Sequence, residues 1–194
     1  MTDARRREVA KLLSICVGQP REIDADGSTV LTSIFKAPVS GAVSVTRMNL
    51  DGDRQSDLTV HGGIRKAVYA YPSEHYAFWR AEFPQMDLPW GAFGENFTTE
   101  GLLESTTCIG DAFRIGSAEF VVTQPRRPCY KLAIKFGRPD IIKRFLASGR
   151  SGFYLSVSKE GLVSAGEPIT RIEHDEESVT VADILREDQR RAER

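Results

Sequence analysis

Short runs of alternating apolar and polar residues, separated by glycine-containing turns, recur along most of the chain. Alternation with a period of two puts every second side chain on the same face, which indicates half-buried β-strands. The turns include Asp26-Gly27, a pair typical of tight hairpins, and Asp51-Gly52. The sequence therefore predicts a mainly β fold with inserted helices (α+β), built as a barrel or a sandwich.

Two segments between these runs have the capping residues and the periodicity of helices. Pro72 to Pro84 is predicted to be helical because Ser73 can cap its start and Pro84 ends it. Pro139 to Ala147 fits a second helix with Gly149 at its C-terminal cap. Strands are predicted at 12–17, 30–35, 41–48, 107–109, 112–115, 118–123, 153–157 and 168–172.

The length and the charge of the chain limit the classes of protein to which it can belong. A chain of 194 residues with 41% hydrophobic and 27% charged residues fits one globular domain. The formal net charge of -1 provides no overall basic field for a nucleic acid polymer or an anionic membrane. Apolar runs stay well short of the roughly 20 residues that cross a bilayer. We expect a cytoplasmic protein with neither a nucleic acid nor a membrane partner.

The chain divides into three parts on composition. Residues 1–11 are predicted to be a flexible N-terminal segment, residues 12–175 one domain, and residues 176–194 a charged helical tail. The tail has no apolar stripe long enough for firm docking, so we expect it to be mobile or packed on another chain. The protein is expected to be a monomer or a homodimer.

The three cysteines are far apart and include no C-x-x-C pair, which argues against a disulfide framework and a structural zinc site. Cys16 and Cys108 have apolar neighbours and are predicted to be buried in the core. Cys129 follows two prolines, Pro125 and Pro128, in the segment Gln124 to Leu132, and it is close to Arg126, Arg127 and Lys131. Prolines stiffen the backbone, and nearby cations favour the reactive thiolate. An inert, buried cysteine remains the alternative.

Two glycine-containing segments are further candidates for ligand binding. His61-Gly62-Gly63 precedes Arg65 and Lys66, and its glycines allow positive φ and close approach of the backbone to a ligand. An anion cradle is one interpretation, and a tight turn with a solvated basic pair is the other. In Gly94-Glu95-Asn96-Phe97, Asn96 either contacts a ligand or holds a turn with its side chain.

Four motifs in this order resemble the MOSC domain, the molybdenum cofactor sulfurase C-terminal domain, in its YiiM-like branch. They are His61-Gly62-Gly63, Gly94 to Phe97, Gly110-Asp111 and Gln124 to Leu132, and the resemblance extends from about residue 12 to residue 172. It implies a MOSC-type β-barrel whose pocket holds a molybdenum cofactor (molybdopterin). The family is also associated with pyridoxal phosphate binding. The YiiM-like branch commonly continues into a C-terminal helical domain, of which only residues 178–194 are present here.

The resemblance assigns roles to individual residues. Cys129 is implied as the catalytic residue and the metal ligand, which suits a soft thiolate and a soft, redox-active metal. Basic side chains suit the anionic phosphate and dithiolene of the cofactor. The implied cofactor-binding residues are His61, Gly62, Gly63, Asn96, Arg126, Arg127 and Lys131.

The same resemblance implies two functions of different classes. The first is a reductase of N-hydroxylated compounds, including hydroxylaminopurines. Because the chain has no flavin, haem or iron–sulfur motif, its electrons would come from an external electron donor protein. Substrate closure or donor docking would then also depend on a partner. The alternative is a non-catalytic carrier of the molybdenum cofactor, or of sulfur on Cys129.

Overall fold

The computed structural model describes residues 10–25, 27–55 and 62–192. Within these ranges it contains twelve strands, a 3₁₀ turn at Ile64–Lys66 and four helices. The strands are β1 (Lys11–Val17), β2 (Arg21–Ala25), β3 (Ser28–Thr32), β4 (Ala37–Pro38), β5 (Val43–Val45), β6 (Val68–Pro72), β7 (Phe97–Glu100), β8 (Ala112–Ile115), β9 (Ala118–Pro125), β10 (Phe153–Lys159), β11 (Gly161–Val163) and β12 (Ile169–Glu173). The helices are α1 (His75–Glu82), α2 (Tyr130–Phe136), α3 (Ile141–Ser148) and α4 (Val181–Ala192).

One sheet of eight strands organises the fold, in the order β12-β8-β9-β10-β6-β7-β1-β4. Its pairings are antiparallel except for the parallel pair β6 and β7. Strand β12, at one end of the sheet, also approaches β1, next to the other end: Ile169 and Leu12 donate their backbone N–H groups to the carbonyls of Ala10 and Glu167, at 2.7 and 3.0 Å. A single bridge between Lys11 and Pro168, and no continuous ladder, joins them in the described residues. The mainly β prediction with inserted helices is confirmed, with a barrel-like rather than a fully closed sheet.

The main core lies on one face of the large sheet, toward which alternate residues of its strands point. In β9, for example, Phe120 and Val122 are buried and pack in one cluster with Leu12, Phe97 and Phe153. A second cluster, rich in aromatic rings, fills the space between the sheet and helices α1, α2 and α3. It includes Tyr71, Tyr76, Trp79, Phe93, Phe136 and Phe145. The rings meet edge-to-face or stacked, the arrangements that aromatic side chains prefer.

Several predicted elements differ from those observed. Helix α1 starts at His75, and Ser73 does not cap it: the hydroxyl of Ser73 donates to Glu74 instead, at 3.4 Å. Helix α2 was not predicted, since its seven residues are too few to give a clear helical period. The predicted strand at 107–109 reduces to a bridge between Cys108 and Thr180. By contrast, Gly149 ends α3 with a left-handed φ of 65°, as predicted.

The C-terminal tail packs on its own chain, so the prediction of a mobile tail or one packed on another chain is wrong. Val181 and Leu185 of α4 are buried and belong to the main core cluster. The side-chain amide of Gln189 donates to the carbonyl of Leu146, in the last turn of α3, at 2.6 Å. Two apolar residues one turn apart are therefore enough to dock this helix. None of the described helices is both long and apolar enough to span a membrane.

Candidate functional site

A basic pocket opens where the end of β9 passes the segments at 32–36 and 53–55. It encloses about 670 Å³ of empty space, part of which is open to solvent. Its wall combines the buried Tyr69 and the half-buried Tyr154 with seven arginine, lysine or cysteine side chains and several neutral polar groups. The lining residues are Thr32, Ser33, Ile34, Lys36, Asp53, Arg54, Gln55, Lys66, Tyr69, Phe93, Gly94, Asn96, Arg126, Arg127, Cys129, Lys131 and Tyr154.

Cys129 lines this pocket, while the two other cysteines do not. It is half-buried and occupies the N-cap position of α2 with an extended backbone, directly after Pro128. Cys16 and Cys108 are buried, as predicted. Burial raises the pKa of both thiols, that of Cys16 to about 12. They are therefore inert thiols at neutral pH, and the pocket has one half-buried cysteine on its wall.

Arg126 is a buried cation whose hydrogen bonds are incomplete. Its side chain lies against the rings of Tyr69 and Phe145, with the guanidinium carbon 5.3 and 5.0 Å from their centroids. The Nη1 atom has no hydrogen-bond partner in the described chain, although the residue is only 5% exposed. The hydroxyl of Ser33, which also lines the pocket, is buried without a partner too. Since unpaired buried polar groups cost free energy, these two donors indicate a site for a polar or anionic ligand.

Arg127 and Lys131, the two other predicted cations, also line the pocket. Arg127 is more than half exposed and forms a two-pronged ion pair with Asp188 of α4, at 2.8 and 3.0 Å. A cofactor would have to share or replace this carboxylate to use Arg127 fully. Lys131 is buried on the first turn of α2.

Asn96 reaches the pocket, but its amide hydrogens are already engaged. The side-chain nitrogen donates to Asp53 Oδ2 at 2.8 Å and to the carbonyl of Cys16 at 3.2 Å. The side-chain oxygen accepts the backbone N–H of Tyr69 at 3.1 Å. Of the two roles left open for Asn96, the geometry favours holding the backbone and Asp53 in place. Direct contact with a ligand would require one of these bonds to break.

Glu95, next to Asn96, explains why the loop before β7 has a fixed shape. Its buried carboxylate accepts the backbone N–H groups of Gly91 at 2.7 Å and Phe93 at 3.0 Å. It also accepts hydrogen bonds from the hydroxyls of Tyr76 and Thr98. These four donors satisfy the buried charge, and they place Phe93 and Asn96 on the pocket wall.

The predicted His-Gly-Gly element only partly enters the site. His61 lies outside the described residues. Gly63 has a φ of 91°, the positive value that its glycine was predicted to allow, and its N–H donates to Gln55 at 3.3 Å. Gly62 and Gly63 are not lining residues, whereas Gln55 and Lys66 are. Gly63 therefore contacts the pocket through the wall residue Gln55, and a role of the two glycines in ligand binding stays a prediction.

Sequence reasoning missed a buried ion pair at the pocket. The ammonium of Lys36 donates to Asp53 Oδ1, and the same carboxylate accepts the N–H of Gly18 at 2.8 Å. Asp53 had been assigned only to a turn, and Lys36 lies in no motif. Gly18 and Asn96 also donate hydrogen bonds to Asp53, and they lie 35 and 43 positions from it in the chain. No local signal in the sequence indicates such a pair.

Tyr69 and Tyr154 were also missed, because they read only as strand residues. They lie on neighbouring strands β6 and β10, paired in register, with their rings 5.5 Å apart. Burial raises the pKa of both phenols above the ordinary value. Both phenols therefore remain neutral, and they form an uncharged, hydrogen-bonding part of the wall of this basic pocket.

Comparison with known proteins gives consistent matches. The sequence profile of the MOSC domain matches residues 57–170. The chain is 43% identical over 176 residues to the uncharacterized protein YflK of Bacillus subtilis, covering 91% of this chain and 79% of that protein. It is 43% identical over 140 residues to the protein YiiM of Escherichia coli, covering 71% of this chain and 62% of YiiM. A protein of Gibberella moniliformis named Reductase is 33% identical over 178 residues, or 90% of this chain and 31% of that protein.

Solved structures match over almost the whole chain. YiiM from Geobacillus stearothermophilus superposes with a TM-score of 0.78 and 34% identity, covering 95% of this chain and 86% of that one. YiiM from Escherichia coli superposes with a TM-score of 0.69 and 31% identity, covering 91% and 74%. The sheet and its helices are thus similar to those of these two proteins.

Proposed function

This chain belongs to the MOSC domain family, and from that premise we propose that its basic pocket binds a molybdenum cofactor and reduces N-hydroxylated compounds. The observation that carries the proposal is Arg126, a buried guanidinium with an unpaired N–H in the same pocket as Cys129. A buried cation without its full set of partners is typical of a site for an anion. The cofactor's phosphate is such an anion.

The pocket residues fit the cofactor chemically. Cys129 offers a thiolate, a ligand suited to a soft metal. Arg126 and the free hydroxyl of Ser33 would bind the phosphate and other oxygens of the pterin, which satisfies both unpaired groups. Lys131 and, in competition with Asp188, Arg127 would add positive charge to the wall.

Asn96 has an indirect part in this proposal. By bonding Asp53, Cys16 and Tyr69 it fixes the backbone that carries the pocket wall. Its contribution is positioning, and the same applies to Gly63, whose backbone N–H donates to the wall residue Gln55.

Bound molybdenum cofactor supplies two-electron redox chemistry at the metal. The protein binds and orients the substrate and supplies protons, because cleavage of the N–O bond of R–NH–OH consumes two electrons and two protons and releases water. We propose that the electrons come from an external donor protein. The name Reductase of the fungal relative supports this class of reaction, although the chain spans only 31% of that protein. A hydroxylaminopurine or a simple amidoxime is the substrate to test.

Metal content tests cofactor binding. In protein expressed in a host that makes the cofactor, we expect molybdenum near one equivalent in the wild type and in Cys108→Ala, whose thiol is buried outside the pocket. Cys129→Ala should lose it, because the metal ligand is gone. Molybdenum retained in Cys129→Ala at the wild-type level would refute the assigned ligand.

Turnover tests the reductase. With an artificial electron donor, molybdenum-loaded wild type should convert hydroxylaminopurine into the aminopurine, or an amidoxime into the amidine. A loaded sample that converts neither compound would argue for the carrier alternative, and a persulfide on Cys129 in its mass spectrum would identify a sulfur carrier.

A further inference from the structure

We propose that Lys36 is the proton donor of the pocket, which delivers a proton from its ammonium to the oxygen that leaves when the N–O bond breaks. This inference rests on the proposed function, and it assigns a role to a residue that no motif of the sequence points to.

The position of Lys36 is the first support. It lines the same pocket as Cys129 and Arg126, and its side chain is only 9% exposed. An ammonium has three N–H donors, and in the described chain Asp53 is the hydrogen-bond partner of one of them. Two donors are therefore left for a molecule in the pocket.

Asp53 holds the ammonium in place. Its carboxylate is only 2% exposed and also accepts hydrogen bonds from the N–H of Gly18 and the amide of Asn96. These bonds fix the carboxylate on three sides, so the Lys36 side chain that it binds has little freedom to turn away. A proton donor held in one position against the substrate is what general acid catalysis needs.

The charges around Lys36 allow it to release a proton. Burial lowers the pKa of Lys36 below the ordinary value for lysine, while Asp53, and more weakly Cys16 and Glu95, act in the opposite direction. Cys16 is a neutral thiol, with a pKa raised to about 12. Lys135, the neighbouring buried lysine, is bound to the carbonyls of Ile34 and Gly91.

Other groups of the pocket are less suited to this role. Arginine does not lose its proton in proteins, which excludes Arg126 and Arg127. Burial raises the pKa of the Tyr69 and Tyr154 phenols, which makes them weaker acids. Lys66 and Lys131 also line the pocket and are therefore compared directly in the experiment below.

The proposed step balances in atoms and charge. The N–O bond of R–NH–OH breaks as two electrons from the external donor are taken up, and the oxygen leaves with the proton of Lys36 as water. The nitrogen takes its second proton from solvent and becomes the amine. Lys36, now a neutral amine, regains a proton from solvent before the next turnover.

The pH dependence of kcat tests the proposal in Lys36→Arg and Asp53→Asn. The wild type should lose activity as pH rises through the pKa of Lys36, because only the ammonium can donate. Lys36→Arg keeps the positive charge but cannot release a proton, so kcat should fall about 100-fold or more, and the alkaline limb should disappear while molybdenum content is kept. Asp53→Asn removes the carboxylate that raises the pKa of Lys36, so the alkaline limb should move to lower pH.

Three matched variants serve as controls. Lys135→Arg changes a buried lysine that does not line the pocket and should leave kcat and the profile unchanged. Lys66→Arg and Lys131→Arg change the other pocket lysines, and their alkaline limb should remain. Loss of the limb in one of these two variants, with the limb kept in Lys36→Arg, would overturn the assignment to Lys36.

A second readout needs no turnover. The rate at which acetic anhydride labels Lys36 in cofactor-free protein, followed by mass spectrometry over pH, reports the titration of its amine. The half-point should lie below that of the exposed Lys159 and lower still in Asp53→Asn. Labelling of Lys36 with the same pH dependence as Lys159 would contradict the proposal.

The outcomes separate the two hypotheses. If molybdenum-loaded wild type does not turn over, the reductase fails and the role of Lys36 fails with it. If the wild type turns over and Lys36→Arg keeps its rate and its alkaline limb, only the role of Lys36 is wrong.

Discussion

The side chain of Arg126 combines stabilising contacts with aromatic rings and a destabilising, unpaired N–H group. Its guanidinium is buried against two aromatic rings, which stabilises it through cation–π contacts. The unpaired Nη1 offsets part of that gain, because a buried N–H without an acceptor has lost its hydration. Because these two effects oppose each other, Arg126 should contribute little to the stability of the fold.

Substitution of Arg126 should therefore separate binding from stability. We expect Arg126→Met to lose most of the bound molybdenum, since the phosphate partner is gone. The free energy of unfolding of the cofactor-free protein should stay within about 1 kcal/mol of the wild type, the size of one net hydrogen bond. Metal analysis and urea unfolding measure the two effects. Arg114→Met, which changes an exposed ion pair on β8, is the control and should keep its metal.

Gly152, directly before β10, is a residue at which the packed backbone leaves no room for a side chain. It has a φ of 64°, and a Cβ there would lie 2.4 Å from the carbonyl oxygen of Ala70 on the neighbouring strand β6. Gly137 has nearly the same φ, 61°, but nothing lies within 4 Å of its Cβ position. A comparison of Gly152 with Gly137 therefore separates the cost of steric overlap from the cost of backbone strain.

Alanine at these two glycines should have different costs. Gly137→Ala should lower the free energy of unfolding by about 1 kcal/mol, from the positive φ alone. Gly152→Ala should lower it by at least about 1–3 kcal/mol more, because β6 and β10 must also move apart. Thermal and urea unfolding of the two variants measure this. Equal losses of unfolding free energy in the two variants would show that β6 and β10 can move apart without a measurable cost.

At the scale of elements, α4 connects the tail to the pocket. Its buried residues Val181 and Leu185 join the main core, and Asp188, one turn further, holds Arg127 at the pocket rim. The helix thus supplies both apolar contact and a carboxylate that pairs with Arg127 at the pocket rim.

The two kinds of contact made by α4 should differ in strength. Leu185→Ala should lower the free energy of unfolding by about 2–5 kcal/mol, as expected for truncation in a core. Asp188→Asn should change it by less than about 1 kcal/mol, since the ion pair is largely exposed. Urea unfolding measures both. A larger loss in Asp188→Asn than in Leu185→Ala would mean that the ion pair, and not the core contact, docks the helix.

Charge is unevenly distributed over the whole molecule. The net charge is -1, yet the pocket has six arginine or lysine side chains against one carboxylate on its wall. Burial lowers the pKa of Lys135 beside it to about 8. Such a lysine binds fewer protons in the folded than in the unfolded state, so its contribution to stability rises with pH between about 8 and its ordinary value of 10.5.

A comparison of wild type with Lys135→Met over pH should reveal this linkage. As pH rises from 7 to 10, the wild type should gain stability relative to Lys135→Met, by no more than about 1.4 kcal/mol per pH unit. The effect arises because the cost of burying the charge disappears when the amine becomes neutral. Urea unfolding at several pH values tests it, and a difference that does not change with pH would contradict the lowered pKa.

The sequence by itself determined much of the strand pattern, the helices α1 and α3 and the glycine cap Gly149. These depend on neighbours within a few positions, where side-chain alternation and backbone φ act directly. It also placed Cys129, Arg126, Arg127 and Lys131 together, because they lie close to one another in the sequence and enter the pocket as one segment. The burial of Cys16 and Cys108 followed from their apolar neighbours.

Only the tertiary structure decided what faces that segment. Lys36, Asp53, Tyr69 and Tyr154 reach the pocket from separate strands and loops, and pairing between distant strands leaves no mark on the local sequence around each of them. The docking of α4 depends on two buried side chains, Val181 and Leu185, which are too few for a periodic signal but sufficient once a core is present to receive them. A local pattern specifies an element, whereas a site depends on which distant elements the packed core brings together.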